Sequence, residues 1–570
     1  MSSIIDPEKL KQAYTKLCTT KRHKYSYGTA GFRDKALYLD TVIFTTAISA
    51  CVRSIELQGR PIGVMITASH NPPEDNGVKI VEPRGEMLVP EWEPVATNLA
   101  NMVGFAESYD KFASYLFEEL LPKHPGVRGG VNLLTSPLIV LGYDSRESSL
   151  RLAECFLDTL KVFNAHYSPT VVNHGLVTTP QLHFLTYLQN ENRGNETEFS
   201  YKDYESYFYE AWETACDLYN LKFGSKSVDQ NQNQKQNQNG LPFDKLVVDC
   251  ANGVGSLKLK QFLFDKFPRE FTSHFQFIND DWEHPEMLNR ECGADFVKTN
   301  QCLPRGVDVN SLKGALCCSL DGDADRIVFY FMDDGGKFRL LDGDRIATLL
   351  AKFFQWQQTE GQLENLKLGV VQTAYANGSS TKYLTDTLRC PVTCTKTGVK
   401  HLHHAAQENY DIGVYFEANG HGTVLFSEKF YDTCRQNSTS SPTYKKLMAF
   451  SRVINHTVGD AMTDLLAVIL TLGILNWTPA RWYEEYTDLP NKLTKVVVPD
   501  RTIYKTTNEE RTLLSPEGIQ TRIDALVSHV KSGRAFVRPS GTEDAVRVYC
   551  EGADAEEVEL LSGQIAELLV

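Results

Sequence analysis

A serine stands on a predicted tight turn directly after a short apolar strand. The segment ITASHNPPEDNGVKI spans residues 66–80, and its strand ends at Thr67, two residues before Ser69. A serine held in position at such a turn can act as a nucleophile or carry a phosphate group. His70 and Lys79, which lie nearby in the sequence, are candidates for moving protons or neutralising phosphate. Ser69 could instead simply cap the turn, because serine and asparagine are common turn residues.

Three aspartates alternate directly after a second apolar strand. The loop LDGDADR contains Asp321, Asp323 and Asp325 and ends at Arg326, which could bind phosphate. Carboxylates crowded in this way repel one another unless a cation lies among them. Oxygen ligands suit a hard ion such as Mg²⁺, which accepts a few carboxylates and a phosphate oxygen. A solvated acidic turn is the alternative, whereas a calcium-binding EF-hand loop is disfavoured by the positions of its glycine and glutamate.

Three further loops carry groups that suit a sugar phosphate. The loop FEANGHGT supplies Glu417 and Asn419 for sugar hydroxyls, and His421, which could equally be structural. Near the N-terminus, YGTAGFR could place Arg33 over a phosphate. The loop RPSGTEDAVRVY has the guanidinium groups, hydroxyls and backbone N–H groups that fit a phosphate dianion. Its candidate phosphate ligands are Arg538, Ser540, Gly541, Thr542 and Arg547.

The elements that must position these loops follow one pattern. Short apolar runs such as PIGVMITAS and LIVLGYDS end in polar or glycine-containing turns and alternate with helical patterns. This pattern predicts an α/β protein whose strand-end loops carry the chemistry. A chain of 570 residues exceeds the ~250–300 residues of one hydrophobic core, so several domains are expected. The Gln/Asn tract at 224–240 predicts a disordered, mobile surface insertion, and 432–446 predicts a second flexible loop.

Composition narrows the class of protein. The net charge of -14 argues against broad binding to nucleic acid, which needs a basic face. No segment approaches the ~20 apolar residues of a membrane span, and the N-terminus lacks the features of a signal peptide. The 13 cysteines are scattered, which favours reduced thiols. A cytoplasmic protein is therefore expected.

In this order, GT-GFR, TASHNP, DGDADR and RPSGT resemble the phosphate, phosphoserine and metal loops of the α-D-phosphohexomutase superfamily. The resemblance extends over residues 27–547, nearly the whole chain. Glucose and mannose mutases of this superfamily usually carry Gly-Glu-x-Ser-Gly-His at the sugar loop. Here Asn419 replaces the serine, as expected where an N-acetyl group must be accommodated. The segments TTPQLHF, VDCANGVG and LNRECGADFVKT are also similar to the branch that acts on N-acetylglucosamine phosphates.

The resemblance implies a four-domain, heart-shaped α/β architecture. Three related mixed α/β domains and a smaller C-terminal α+β domain would meet at one cleft. The expected boundaries are 1–195 for the phosphoserine-loop domain, 196–308 for the second domain, 309–453 for a third domain with the metal and sugar loops, and 454–570 for the phosphate-binding domain.

The implied activity is interconversion of N-acetylglucosamine 6-phosphate and N-acetylglucosamine 1-phosphate, on the route to UDP-N-acetylglucosamine. Ser69 would carry the phosphate, and a bisphosphorylated sugar would serve as intermediate and activator. Mg²⁺ would be held by the three aspartates and would touch the Ser69 phosphate. Arg33, His70 and Lys79 join Ser69 as catalytic candidates, and the remaining candidates bind substrate. The expected partner is a small phosphosugar, with no nucleic acid and no membrane, and the expected state is a monomer or weak oligomer.

Three other interpretations stay open at this point. The chain could be a phosphoglucomutase or phosphomannomutase. It could be a phosphatase or ATPase with an aspartyl phosphate on Asp321, because paired aspartates after a strand also occur there. It could also be a non-catalytic protein that binds sugar phosphates, although four intact loops argue against this.

Overall fold

The computed structural model describes residues 4–19, 22–105, 108–123, 136–192, 198–222, 240–241, 243–361, 363, 365–439, 441–540 and 544–569, with the backbone only at 310 and 311. The Gln/Asn tract predicted as an insertion lies outside these residues except for Gly240.

The first sheet unit contains five strands: β1 (Phe32–Lys35), β2 (Pro61–Ile66), β3 (Asp75–Val81), β4 (Leu138–Tyr143) and β5 (Thr170–Leu176). In the order β1-β3-β2-β4-β5, strands β2, β4 and β5 are parallel to one another, and β3 is antiparallel to both of its neighbours, β2 and β1. Its helices are α1 (Pro7–Leu17), α2 (Asp40–Glu56), α3 (Glu93–Gly104), α4 (Tyr109–Ser114), α5 (Leu121–Lys123), α6 (Ser149–Leu160) and α7 (Thr179–Glu191). Strand β2 is apolar and buried along its whole length because α2 and α7 pack against it.

The second sheet unit contains β6 (Lys245–Asp249), β7 (Phe275–Ile278), β8 (Ala315–Leu320), β9 (Ile327–Met332) and β10 (Phe338–Leu341), in the order β10-β9-β8-β6-β7. Its helices are α8 (Tyr201–Tyr219), α9 (Val254–Lys266), α10 (Arg269–Thr272) and α11 (Ala294–Asn300). The strands on both sides of residue 309 share this sheet. The aspartate loop therefore belongs to the second unit and not the third, and the boundary between these units falls after Leu341 and not at 309.

The third sheet unit contains β11 (Leu368–Thr373), β12 (Val392–Thr395), β13 (Ile412–Phe416) and β14 (Gly422–Phe426), in the order β12-β11-β13-β14. Its helices are α12 (Gly343–Gly361), α13 (Gly378–Lys382), α14 (Val399–Asn409), α15 (Glu428–Asn437), α16 (Pro442–Val453), α17 (Ala461–Leu475) and α18 (Pro479–Tyr483). The segment 432–446, expected as a flexible loop, contains the end of α15 and the start of α16. Helix α17 packs against α12, so the third unit extends beyond the expected boundary at 454.

The fourth unit is smaller. It contains β15 (Asn491–Val497), β16 (Lys505–Thr507), β17 (Thr512–Ser515), β18 (Arg534–Pro539) and β19 (Ala545–Glu551), with α19 (Ile519–Val527) and α20 (Ala555–Glu567). Strands β15, β19 and β18 form an antiparallel sheet, and β16 and β17 pair separately. Three mixed α/β units and a smaller α+β unit confirm the predicted fold class.

The first three sheets share a local pattern that the sequence did not reveal. In each, three adjacent parallel strands have an antiparallel strand paired to one side. The β2–β3 connection carries Ser69, the β8–β9 connection carries the three aspartates, and the β13–β14 connection carries Glu417. The three loops that could do chemistry therefore occupy equivalent positions in three related sheets.

The hydrophobic core is continuous between the second and third sheets, where α8, α12, α16 and α17 contribute to one large cluster. The first and fourth units each have a separate cluster. Among the helices in the described ranges, none combines the length and apolar character needed to cross a membrane.

Candidate active site

Ser69 lies at the end of β2 in a conformation that non-glycine residues rarely adopt. Its φ of 52° is in the left-handed region, and the residue is fully buried. The backbone N–H of Ser69 donates to Thr67 Oγ1 at 3.0 Å, and the Ser69 hydroxyl donates to Asp321 Oδ2 at 2.7 Å. Such strain persists where the surroundings hold it, which is common at reactive sites. The serine predicted from the sequence is thus directed at the predicted metal loop.

A buried arginine, Arg146, binds the backbone of the turn that contains Ser69. Arg146 donates to the carbonyl oxygens of Ser69 (2.8 Å), Asn71 (2.9 Å), Pro72 (2.6 Å) and Asp75 (2.8 Å). Its Nε donates to Asp144 Oδ2 at 3.1 Å, and its side chain is inaccessible to solvent. These charge-assisted bonds fix the backbone on both sides of the serine.

Asn289, from the second unit, also binds the serine turn. Its Nδ2 donates to the carbonyl oxygens of Ser69 at 2.9 Å and Asn71 at 3.1 Å. Gly322 allows the two loops to approach closely, because a Cβ added there would lie 2.6 Å from the Ser69 carbonyl oxygen. Sequence reasoning missed Arg146 and Asn289. For Arg146, the end of the apolar run LIVLGYDS, which precedes it directly, was the only local signal.

The three aspartates form a compact buried cluster, with one oxygen from each lying within 4.8 Å of the others. Asp321 Oδ1 accepts from the backbone N–H groups of Asp325 at 3.0 Å and Arg326 at 3.2 Å. Asp323 Oδ2 accepts from the hydroxyls of Thr179 at 2.6 Å and Thr67 at 3.1 Å. Burial, together with the charges of Asp325 and Asp323, raises the pKa of Asp321 well above its usual range.

One carboxylate oxygen of this cluster, Asp323 Oδ1, is buried and lacks a hydrogen-bond donor within the described part of the chain. Asp325 Oδ1 is also buried and has only basic groups beside it, with His421 Nδ1 at 3.2 Å and Arg326 Nε at 3.7 Å. A buried acceptor is nearly always satisfied, so Asp323 Oδ1 indicates a missing partner. Three clustered carboxylates, one of them with an unsatisfied oxygen, match the ligand set of a hard divalent cation. The residues therefore fit the Mg²⁺ site predicted from the sequence.

Basic groups surround the aspartates. Lys79 Nζ lies 3.2 Å from Asp325 Oδ2 and 3.4 Å from Asp323 Oδ2. His421 Nδ1 lies 3.2 Å from Asp325 Oδ1. Burial opposes ionisation of Asp325, but the charges of His421 and Lys79 hold its pKa well below its usual range. Lys79 and His421 therefore meet at the metal cluster, although they lie far apart in the sequence.

Two guanidinium groups, those of Arg33 and Arg326, lie near each other beside the serine turn. Arg33 Nη1 donates to Asn71 Oδ1 at 3.4 Å, while Arg33 Nε is buried without a hydrogen-bond acceptor among the described residues. Burial and the neighbouring Arg326 lower the pKa of Arg33. An anion placed between these two arginines would relieve their repulsion.

His70 stays neutral in this setting. Its Nδ1 lies 3.4 Å from Ser69 Oγ. Burial, followed by the charges of Arg326 and Arg33, lowers the pKa of His70 well below its usual range. A neutral imidazole beside a serine hydroxyl can accept its proton.

The sugar loop is joined to the aspartate loop. The backbone N–H of Ile327 donates to the Gly420 carbonyl oxygen at 3.2 Å. Gly420 has a φ of 88°, and a Cβ there would lie 1.9 Å from the Ile327 carbonyl oxygen, so only glycine fits. Asn419 Oδ1 accepts from the His421 N–H at 3.1 Å, and Glu417 Oε1 accepts from the Gly398 N–H at 3.1 Å. Glu417 and Asn419 are therefore held beside the metal loop.

The phosphate loop lies in the fourth unit. Arg538 and Arg547 are directly opposite each other on β18 and β19, which places both side chains on one face of the sheet. Arg538 Nε lies 3.3 Å from Glu510 Oε1, and Glu510 Oε2 accepts from the Thr397 N–H of the third unit at 2.9 Å. Gly541 and Thr542 lie outside the described residues. Through Glu510, Arg538 is therefore linked to the third unit.

Known proteins share this fold and these sequence features. Family models described as "Phosphoacetylglucosamine mutase AMG1", domains II and III, match residues 201–328 and 342–477. Models of phosphoglucomutase/phosphomannomutase match 30–102 with alpha/beta/alpha domain I and 493–568 with the C-terminal domain. The chain is 49% identical to the phosphoacetylglucosamine mutase of Saccharomyces cerevisiae, covering 99% of each chain. It is 43% identical to that of Homo sapiens, covering 95% of this chain and 93% of the relative.

Solved structures agree with these sequence relatives. A crystal structure of N-acetylglucosamine-phosphate mutase in the product complex has a TM-score of 0.85 and 43% identity and covers 100% of both chains. The Aspergillus fumigatus enzyme in complex with GlcNAc-6P and magnesium has a TM-score of 0.84 and 40% identity, and covers 98% of both chains. The fold and the site thus define a member of the α-D-phosphohexomutase superfamily, as the sequence predicted. Within that superfamily, the chain belongs to the phosphoacetylglucosamine mutase family.

Proposed function

We propose that this chain interconverts N-acetylglucosamine 6-phosphate and N-acetylglucosamine 1-phosphate, with Ser69 carrying the transferred phosphoryl group. The observation that supports this most strongly is the Ser69 hydroxyl, held 2.7 Å from Asp321 in a buried cluster of three aspartates. The product lies on the route to UDP-N-acetylglucosamine. The phosphoglucomutase and phosphomannomutase interpretation is disfavoured by the family matches.

The solved relatives support the cofactors. One Aspergillus fumigatus structure is described with GlcNAc-6P and magnesium, and another as an S69A protein with glucose 1,6-bisphosphate. In this chain Asp321, Asp323 and Asp325, with an oxygen on Ser69, would hold Mg²⁺. The ion would neutralise charge on the phosphoryl group and polarise its bond to the serine oxygen. A sugar bisphosphate would serve as intermediate and activator.

The transfer uses groups that surround Ser69. The bond between phosphorus and Ser69 Oγ breaks while a bond forms to the free sugar hydroxyl oxygen, whose proton passes to a base. The resulting bisphosphate turns in the cleft and returns its other phosphoryl group to Ser69. His70, neutral and 3.4 Å from Ser69 Oγ, is suited to take the serine proton in that return step. Arg33 and Lys79 would neutralise the charge that the phosphoryl oxygens carry.

The other candidates would bind substrate. Arg326, Glu417, Asn419 and His421 would hold the phosphoryl group and the sugar hydroxyls in both orientations. The phosphate that is not reacting would be held by Arg538, Ser540, Gly541, Thr542 and Arg547. Binding energy from that remote phosphate can orient the reacting one, and closure of the fourth unit would retain the intermediate.

The cysteines and the net charge bear on the compartment and the partners of the protein. All 13 cysteines lie in the described residues and none is paired there, which favours a reducing compartment such as the cytoplasm. We further infer a monomer or weak oligomer that binds no nucleic acid, in keeping with the acidic net charge.

The direct test is an assay of the purified chain with N-acetylglucosamine 6-phosphate, Mg²⁺ and a trace of glucose 1,6-bisphosphate, followed by ³¹P NMR. Formation of N-acetylglucosamine 1-phosphate is expected. Ser69→Ala should lower kcat by about 10⁴-fold or more, because it removes the oxygen that would carry the phosphate. The exposed Ser273→Ala should behave as wild type. Full activity of Ser69→Ala would overturn the proposal.

A further inference from the structure

A second cavity lies apart from the serine and the aspartates. Its volume is about 920 Å³, and none of the catalytic or metal-binding candidates lines it. One wall comes from the first sheet unit, including the loop after β3 and helix α7. The facing wall comes from α14, α15 and α16 of the third unit. Small-molecule sites typically measure about 300–1,000 Å³ and often lie between domains, so this cavity has the size and place of a ligand site.

The cavity is more basic than the chain as a whole. Its lining contains four arginines and three glutamates, a net charge of +1 in a chain of net charge -14. Arg435 is committed to Asp432 at 2.7 Å. Arg60 and Arg84 form no ion pair with any residue that the structure describes, and Arg452 lies 5.2 Å from the centre of the Tyr207 ring. Three guanidinium groups are therefore available to a ligand, which favours phosphate groups.

Several aromatic side chains also line this cavity. Tyr187, Tyr207, Tyr410 and Tyr431 all line it, together with His456, whose ring lies 4.8 Å from that of Tyr187. Burial and the nearby Arg84 lower the pKa of His456 to about 4, so this ring is neutral. Aromatic and guanidinium faces bind planar ring systems by stacking. A simple hexose phosphate offers no such ring.

A largely buried histidine also lines the cavity. His403 is only 8% exposed, and its Nδ1 is 2.9 Å from the Tyr415 hydroxyl. Burial lowers the pKa of His403 to about 4, so its ring is neutral. The second nitrogen of a neutral imidazole can form a hydrogen bond with a ligand that has polar edges on a planar ring.

We propose that this cavity binds a nucleotide. Its phosphates would contact Arg60, Arg84 and Arg452, and its base would lie among the tyrosines with an edge toward His403. The site is separate from the mutase centre and does not depend on the proposed reaction. Because its lining comes from the first and third units and, through Tyr207 on α8, from the second, a bound nucleotide would join these units and raise the melting temperature.

The test is titration calorimetry of the full-length wild-type protein with UDP and with ADP. Saturating glucose 1,6-bisphosphate is present throughout, so that phosphate groups cannot bind at the mutase centre. Inorganic pyrophosphate and uridine are the separate probes of the phosphate and base contacts. At least one nucleotide should bind at least about 10-fold more tightly than either fragment.

Variants locate the binding. Arg84→Ala combined with Arg452→Ala should weaken nucleotide binding by about 10-fold or more, while the exposed Arg269→Ala should not change it. Mutase activity of the double variant, expected to match wild type, reports that it folds. If it fails to fold, hydrogen exchange of wild type provides the readout: nucleotide should protect peptides covering 183–192 and 448–456.

Three results would overturn the proposal. The first is the absence of nucleotide binding when the mutase centre is saturated. The second is pyrophosphate binding as tightly as the nucleotides, which would indicate a site for anions without base recognition. The third is unchanged nucleotide affinity in the folded double variant, or the absence of protection in both peptides.

Discussion

The serine–aspartate centre and the phosphate loop of the fourth unit are built in opposite ways. At the centre, three buried carboxylates lie close together and Asp323 Oδ1 has no hydrogen-bond donor among the described residues, which favours binding of a cation. At the phosphate loop, Arg538 and Arg547 lie opposite each other on neighbouring strands, and this pair of positive charges favours binding of an anion. The centre is also bonded into two units, whereas the phosphate loop contacts the third unit through Glu510. This difference indicates that the serine–aspartate centre carries out phosphoryl transfer and that the phosphate loop binds the substrate.

Changes at the centre should therefore lower kcat, and changes at the phosphate loop should raise KM.

The largest effect in the comparison is expected from Asp323→Asn, which removes one carboxylate charge from the metal cluster. We expect kcat to fall by about 10³-fold at fixed Mg²⁺, because charge stabilisation by the ion supplies several kcal/mol. Steady-state kinetics over a range of Mg²⁺ concentrations measures this. The exposed Asp281→Asn should have no effect, and an unchanged Mg²⁺ dependence in Asp323→Asn would contradict the metal site.

The next effect is expected from Arg146→Lys, which keeps the charge but cannot reach four carbonyl oxygens at once. Displacement of the Ser69 turn should lower kcat by about 10²-fold with little change in KM, because catalysis depends on the position of the serine. Arg151→Lys, on the surface of the same unit, is the matched control. A rise in KM at constant kcat would place Arg146 in substrate binding instead.

A smaller effect, on KM, is expected from Arg538→Ala. Loss of one charge-assisted bond to the remote phosphate costs about 1.5–3 kcal/mol, so KM should rise by about 10- to 100-fold. Substrate-saturation curves separate this from kcat, which should fall less. Arg522→Ala, exposed on α19, is the control. If Arg538→Ala lowered kcat as strongly as Asp323→Asn, the division of labour between the two regions would be wrong.

The smallest effect is expected from Glu510→Gln. The Glu510 carboxylate lies 3.3 Å from Arg538 Nε, where it competes with an incoming phosphate. Removing its charge should lower KM by about 2- to 5-fold, the range of a partly exposed ion pair. The effect should shrink at high salt. Glu509→Gln is the neighbouring control, and a higher KM in Glu510→Gln would show instead that this carboxylate orients the arginine.

The sequence predicted the groups that follow their own strands. Ser69 and the three aspartates each stand directly after an apolar run, so local pattern was enough to find them. Arg146 and Asn289 were missed because their contacts with Ser69 span 77 and 220 residues. Such partners are set by the packing of units, which strand and helix periodicity does not reveal.

The same limit explains the differences in the fold. Periodicity finds strands such as β8 and β9 but does not say which sheet they join, so the boundary expected at 309 divided one sheet. The segment 432–446, expected as a flexible loop, instead includes a helix start. Ser441 caps α16 and Pro442 occupies its first turn.

The measurement that tests the central claim most directly is the location of the labile phosphate. The purified protein is incubated with glucose 1,6-bisphosphate and Mg²⁺, digested, and mapped by mass spectrometry. The phosphate is expected on the peptide containing Ser69, at that serine, and it should disappear when excess N-acetylglucosamine 6-phosphate is added. A phosphate on Asp321, recognised by its sensitivity to hydroxylamine, would contradict the account and support an aspartyl-phosphate enzyme.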